Sequence, residues 1–158
     1  MYFPVLTLIF LAQFQQPLFT IARSTNANLV QYDARLPSTG VLDPRTPVVA
    51  YWIMAAEDGR HVELSAIEKR MAYGFTFRNE PGSACYQMAL AAEKKRGIRI
   101  CPDGSTARAE MTIDGRRAIL QRMFINTKRV GLFRGVNYIE LFGADFESGK
   151  PCYEKIIP

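Results

Sequence analysis

The chain has one histidine, one tryptophan and three cysteines among its 158 residues. These scarcities remove whole classes of chemistry. A zinc site needs closely spaced N and S ligands, and no two of Cys85, Cys101 and Cys152 lie at Cys-x-x-Cys spacing. A catalytic histidine needs a nucleophile or a carboxylate within hydrogen-bond reach. Asp58 and Glu63 are near His61 in sequence but belong in or beside a polar turn, so His61 reads as a surface residue. There is no glycine-rich phosphate loop and no Gly-x-Ser-x-Gly elbow. No metal, no cofactor and no catalytic residue is assigned. The odd cysteine count allows at most one internal disulfide in an oxidising compartment. The favoured reading is that the cysteines are small buried hydrophobes, with no pairing assigned.

Charge is absent from residues 1–22, and the first charged side chain is Arg23. Within that stretch Tyr2–Ala12 is apolar apart from Thr7. It has the length of a signal-peptide core and is too short to span a bilayer. Residues 1–17 are therefore expected to be a signal peptide and residues 18–158 a single β-rich domain, secreted or periplasmic, without a stable transmembrane anchor. No basic residue precedes the apolar run, and Ala12 is the best of the poor cleavage positions. A buried N-terminal strand and a misplaced start are the alternatives.

The remaining composition is that of a globular domain, with 48% hydrophobic and 22% charged residues. The net charge of +5 favours anionic partners without saying which. Pro47–Phe77 organises the chain. Val48–Met54 is a run of apolar residues, expected as a strand covered on both faces. The turn Glu57–Arg60 follows. Ser65 and Glu68 have capping-box spacing, Ile67 and Met71 share a face, and Gly74 should end a helix spanning about 65–72 as its C-cap. Phe75 and Phe77 then alternate as in a strand. Before this stretch, Leu18–Ala22 and Leu29–Ala34 read as strands, and Leu36–Pro47 as a stiff loop with three prolines.

After Phe77 turns and alternating runs follow one another. Cys85–Ala91 places Tyr86, Met88 and Leu90 on one face, although the Ala-rich run Tyr86–Lys95 also has helix propensity. Ala107, Ala109, Met111 and Ile113 alternate with polar residues. Asp114-Gly115 between two such runs predicts a type I′ hairpin, and Arg117–Asn126 is the return strand. Asn126–Gly135 reads as a basic loop, Val136–Phe146 as a long strand and Cys152–Ile157 as the last one. About nine or ten strands and one short helix predict a mainly β, single-domain antiparallel barrel or sandwich.

Arg23-Ser24-x-Asn26-x-Asn28, the Trp52 strand, Glu68 with Ala72-Tyr73-Gly74, Glu140-Leu141-x-Gly143, and Gly149-Lys150-Pro151 with Glu154-Lys155-Ile156 together resemble the domain of unknown function numbered 4833. The likeness runs from about Phe19 to Ile157. It implies a small, exported, β-rich bacterial protein and implies no reaction.

The clusters Lys94-Lys95-Arg96 with Arg99, and Arg116-Arg117 with Arg122, lack the interleaved aromatics of a nucleic-acid surface. They read as solvated hairpin ends, and no nucleic-acid partner is assigned. Arg122 alternates with Leu120 and Phe124, and Glu140 with Tyr138 and Phe142. If those faces point inward, Arg122 and Glu140 meet inside the barrel as an ion pair or a ligand anchor. Ile119, Met123 and Ile125 make an almost equally apolar opposite face.

The function expected is a non-enzymatic, exported or cell-envelope binding protein for a small anionic or amphipathic ligand. Trp52, Tyr73, Tyr138 and Phe142 would form apolar walls, with Arg122 and Glu140 as polar groups. The first alternative is a hydrolase-type enzyme using Glu68 or Glu140 with Tyr73. A lesser one is a structural assembly module. The oligomeric state is left open.

Overall fold

A period of two in the apolar residues makes strands, and most of this chain is written in that period. The computed structural model describes residues 14–158 apart from residue 39. The expected signal core, Tyr2–Ala12, lies outside the described residues. In chain order the elements are β1 (Phe14–Arg23), β2 (Asn26–Leu36), β3 (Val48–Ile53), β4 (His61–Glu63), α1 (Ala66–Glu68) with a π-helical turn (Lys69–Tyr73), β5 (Phe75–Asn79), β6 (Tyr86–Leu90), β7 (Ile98–Asp103), β8 (Thr106–Ile113), β9 (Arg116–Val130), β10 (Phe133–Asp145) and β11 (Pro151–Ile156).

The strands form one mixed sheet in the order β4-β3-β2-β1-β9-β8-β7-β6-β5, with β10 on β9 and β11 on β10. It is curled into a half-barrel rather than closed or split into two sheets. Neighbours pair antiparallel, except that β1 runs parallel to β9 from Thr20↔Arg122 to Arg23↔Ile125. A purely antiparallel succession of hairpins is therefore corrected at one joint. The earlier part of β9 pairs instead with β8, from Ile113↔Arg116 to Glu110↔Ile119. β9 thus exchanges one neighbour for another along a single edge while β10 covers the other edge.

The concave side holds the core. Phe19, Ile21, Val30, Tyr32, Met88, Ile98, Ile100, Ile113, Leu120 and Leu141 are 2% exposed or less. Each such side chain contributes about 1.5–3 kcal/mol by leaving water. Tyr32 lies at the centre. Its ring stacks on Phe19 with centroids 4.5 Å apart, and its hydroxyl donates to the Tyr73 carbonyl at 2.7 Å. The expected inward faces of β6 (Tyr86, Met88, Leu90) and β8 (Ala107, Ala109, Met111, Ile113) are buried. Asp114 and Gly115 have φ of 50° and 71°, as a type I′ turn demands.

Several expectations are corrected. β1 begins ahead of residue 18, because Phe14–Pro17 already pair with Leu36–Asp33. β3 is not covered on both faces: Val48 and Trp52 are buried, whereas Val49, Tyr51 and Ile53 are only half-buried. His61–Glu63 forms a short strand on Tyr51–Ile53. Asn126–Gly135 is not a loop. It is the distal part of the β9–β10 hairpin, paired as far as Val130↔Phe133. Cys85 and Cys101, 4.4 Å apart at Cα, are joined in a disulfide. Cys152 is free, and burial pushes its thiol pKa up.

Candidate functional site

The helical turn is fixed by its first residues. Ser65 Oγ accepts from the Glu68 N–H at 3.3 Å, and Glu68 Oε2 accepts from the Ser65 N–H at 2.8 Å. This is the reciprocal capping box expected from the spacing. The helix then loosens into a π turn, so Gly74 does not end it in a left-handed conformation; its φ and ψ are −69° and 165°. Glycine is needed there for space, since a Cβ would lie 1.8 Å from the Lys69 carbonyl oxygen.

Glu68 also ties the turn to the core. Its Oε1 accepts from Trp52 Nε1 at 3.2 Å. Trp52 meets Tyr73 edge to face with centroids 5.2 Å apart. The Arg23 guanidinium lies 4.5 Å from the Trp52 ring centre and 5.6 Å from that of Tyr73, a cation–π arrangement. Burial works against the charge on Glu68, but the Ser65 backbone and hydroxyl, the Trp52 indole and Arg23 outweigh it and hold the pKa below the ordinary carboxylate range. Burial raises the pKa of Tyr73 despite Arg23. Both Glu68 oxygens are therefore engaged and the group is held as a carboxylate. Glu68 and Tyr73 are thus both tied into the cluster around Trp52. Trp52 and Tyr73, two of the four expected pocket walls, lie together, and their cation is Arg23 rather than Arg122.

The other candidate residues lie elsewhere. In β9 Leu120 and Met123 are buried while Gln121 and Arg122 are both exposed. An irregularity between Phe142↔Arg122 and Gly143↔Leu120 leaves Gln121 without an opposite residue. This β-bulge inverts the alternation, so Arg122 faces out. Leu141, only 1% exposed, fixes the inward face of β10 and puts Tyr138, Glu140 and Phe142 on the outer one. Arg122 and Glu140 do not meet inside a barrel. The Arg122 guanidinium stacks 4.5 Å from the Phe142 ring centre, Glu140 accepts from the Tyr153 hydroxyl at 2.7 Å, and Lys155 Nζ lies 3.8 Å from the Tyr138 ring centre.

The expected solvated cations are partly ion-paired. Glu110, with a side chain 3% exposed, accepts from Arg108 Nε at 2.7 Å, Arg117 Nη2 at 2.8 Å and Arg99 Nη1 at 3.3 Å. Arg96 grips Glu154 through two bonds of 2.9 and 2.7 Å. Only the cross-strand register, Arg99↔Glu110, reveals the first network, and a single strand's spacing does not carry it.

A largely apolar concavity lies where the half-barrel stays open. β4 pairs with only the second half of β3, leaving Val48–Ala50 without a partner on that side, and β5 pairs with β6 alone. Between them is a groove of about 550 Å³ lined by Val48, Ala50, Tyr51, His61, Val62, Leu64 and Phe75, with Lys69 and Glu63 among its polar groups. Tyr51 and His61 lie with ring centroids 4.6 Å apart. The Tyr51 hydroxyl donates to buried Asp33 at 2.7 Å, and burial together with that bond raises its pKa, keeping the phenol protonated. Lys69 pairs with Glu63 at 2.9 Å on the exposed rim. Among the described residues no cluster of His, Cys, Asp and Glu could hold a metal, and no helix is long and apolar enough to cross a membrane.

No curated protein and no solved structure matches this chain. The family model described as "Domain of unknown function (DUF4833)" matches residues 19–155, nearly the whole chain, and the protein belongs to that family.

Proposed function

We propose that the protein is a non-enzymatic, exported binding protein that takes a small amphipathic ligand in the groove between β3–β4 and β5. The observation that carries this reading is the groove itself. Its volume of about 550 Å³ lies within the usual range for small-molecule sites. Its walls are mainly apolar, with Gln15, Thr46, Glu63 and Lys69 as polar groups among them. The Lys69–Glu63 pair is solvent-exposed, so it contributes little to stability and Lys69 is available to an acidic head group. Glu68 is engaged in the helix cap and Glu140 with the Tyr153 hydroxyl, and neither lines the groove, which favours binding over the hydrolase reading. The groove also gives no reason to prefer a bare assembly module. The location outside the cytoplasm is supported by the Cys85–Cys101 disulfide, which reducing compartments disfavour. Because β1 is described from Phe14, cleavage just after Ala12 would keep every described strand, and intact mass of the exported protein tests that boundary.

Titration with dodecanoate, followed by calorimetry, tests the groove. Saturable one-to-one binding is expected. Val62, 37% exposed on the groove wall, can be changed to Glu without disturbing the core. Val62→Glu should weaken binding at least tenfold, and Lys69→Gln severalfold. Failure of the wild type to bind, or equal binding by the Val62→Glu variant, would reject the groove as the site.

A further inference from the structure

The distal β9–β10 hairpin leaves the body of the protein. The last link to the sheet is the bond from the Thr127 N–H to Ser24 Oγ, 3.1 Å. Beyond it Lys128–Val130 pair only with Phe133–Gly135. At about 3.3 Å per residue this two-stranded ribbon projects roughly 10 Å. Its turn turns back at Gly131, whose φ is +59°.

The tip is apolar and exposed. Leu132 is 93% exposed, Phe133 80% and Val130 54%. A contiguous apolar patch with no internal partner marks an interaction surface. The next cross-strand pair back is Arg129↔Arg134. Like charges directly opposite each other on a ribbon are destabilising. Residues 126–137 contain Lys128, Arg129 and Arg134 and no acidic residue, and among the described residues no carboxylate forms an ion pair with these three. An apolar tip behind which sits an uncompensated cationic collar is complementary to one kind of surface: acyl chains beneath a layer of anionic head groups.

We propose that the Val130–Phe133 tip inserts into an anionic lipid surface, with Arg129, Arg134 and Lys128 held at the head-group level. The inference rests on the ribbon alone and does not depend on the groove. A polyanion such as nucleic acid would satisfy the arginines, but it would leave Leu132 and Val130 in water.

Flotation of the full chain with vesicles tests it, using phosphatidylcholine alone and phosphatidylcholine with a quarter phosphatidylglycerol. Wild type should float with the anionic vesicles, less so as salt rises, and poorly with neutral ones. Leu132→Ser with Phe133→Ser should lower the partition coefficient at least about 100-fold, since both side chains lose their burial in acyl chains. Arg129→Gln with Arg134→Gln should lower it roughly 30-fold. Circular dichroism and melting temperature should be unchanged in both variants, because the altered residues are exposed. Absence of wild-type binding to anionic vesicles at low salt, binding that survives both double substitutions, or tip-dependent binding to a single-stranded oligonucleotide instead of vesicles would each overturn the proposal.

Discussion

Replacing Glu110 by Gln tests whether the buried carboxylate holds the β7–β8–β9 side of the sheet together. Glu110 is 3% exposed, and the arginine side chains around it are 22%, 31% and 52% exposed for Arg108, Arg99 and Arg117. The substitution keeps volume but removes charge and turns one acceptor oxygen into an amide donor, so at least one guanidinium faces another N–H. Arg108 keeps Asp103 at 3.0 Å and Arg99 keeps Glu80 at 2.6 Å. Arg117 keeps only the Phe146 ring, 3.6 Å from its guanidinium. Breaking a fully buried pair costs about 3–5 kcal/mol, and an exposed pair contributes under about 1 kcal/mol. With one partner buried and the others part-solvated, a loss of about 2 kcal/mol at pH 7 is expected in urea melts. The pH dependence gives an independent check. Burial opposes the charge on Glu110, but Arg108 and Arg117 outweigh it and its pKa is lowered in the fold. Its contribution is therefore present above the unfolded value of about 4.3 and lost as pH falls through the lower folded value. The gap between wild type and Glu110→Gln should narrow as the pH falls below about 4. A difference under 0.5 kcal/mol at pH 7 (roughly the scatter for surface changes), or one that stays constant into acid, would refute the reasoning.

Two further outcomes are expected. Reducing the Cys85–Cys101 disulfide, which spans 16 residues, should cost about 3 kcal/mol by releasing the unfolded chain, and the melting temperature should fall measurably; an unchanged melt would deny the bond a stabilising role. Gly74→Ala would ordinarily gain a little stability from the unfolded state, but its Cβ would meet the Lys69 carbonyl oxygen at 1.8 Å. A loss of at least about 3 kcal/mol is expected from denaturant melts, and a neutral result would mean that the π turn does not pass there.

What was legible in the sequence is what depends on neighbours along the chain. The Ser65–Glu68 cap, the Asp114-Gly115 turn and the inward faces of β6 and β8 are all set within a few residues, and all are observed. What was not legible depends on partners far away. The parallel β1–β9 joint needs residues some hundred positions apart, which no local period reports. The β9–β10 ribbon resembles a loop in sequence because both its faces meet water, so nothing forces apolar residues to alternate. Trp52 and Tyr73 lie together while Tyr138 and Phe142, expected on the same wall, lie elsewhere. No local pattern marks Arg23 as a partner, because its place over Trp52 follows from the end of β1 reaching the end of β3. The misplacement of Arg122 has a different origin, a single residue.

That residue is Gln121, and its position explains why β9 can have two neighbours on one edge. Ile119 pairs with β8 and Arg122 with β1, so Gln121 lies in the interval where one partner ends and the other begins. A bulge adds twist and bend to a strand, which allows the two halves of the sheet to diverge and curl around Tyr32. Opposite it, Gly143 comes so close to β9 that a Cβ would lie 2.4 Å from the Ile119 carbonyl oxygen. This gives the glycine of the Glu140-Leu141-x-Gly143 motif a steric reason. Deleting Gln121 should then be a tolerated change of an unusual kind. Leu120, Arg122 and Met123 would follow one another as in, out, in, so the set of buried residues is kept. Deleting Phe124 instead would carry Ile125 outward and the polar Asn126 inward, since a one-residue slip exchanges the faces of everything beyond it. Cooperative unfolding should survive the Gln121 deletion, with a loss of a few kcal/mol for the altered twist, and should be abolished by the Phe124 deletion. If the two deletions are equally damaging, Gln121 is not an added residue in an otherwise regular strand, and the account of why Arg122 lies outside is wrong.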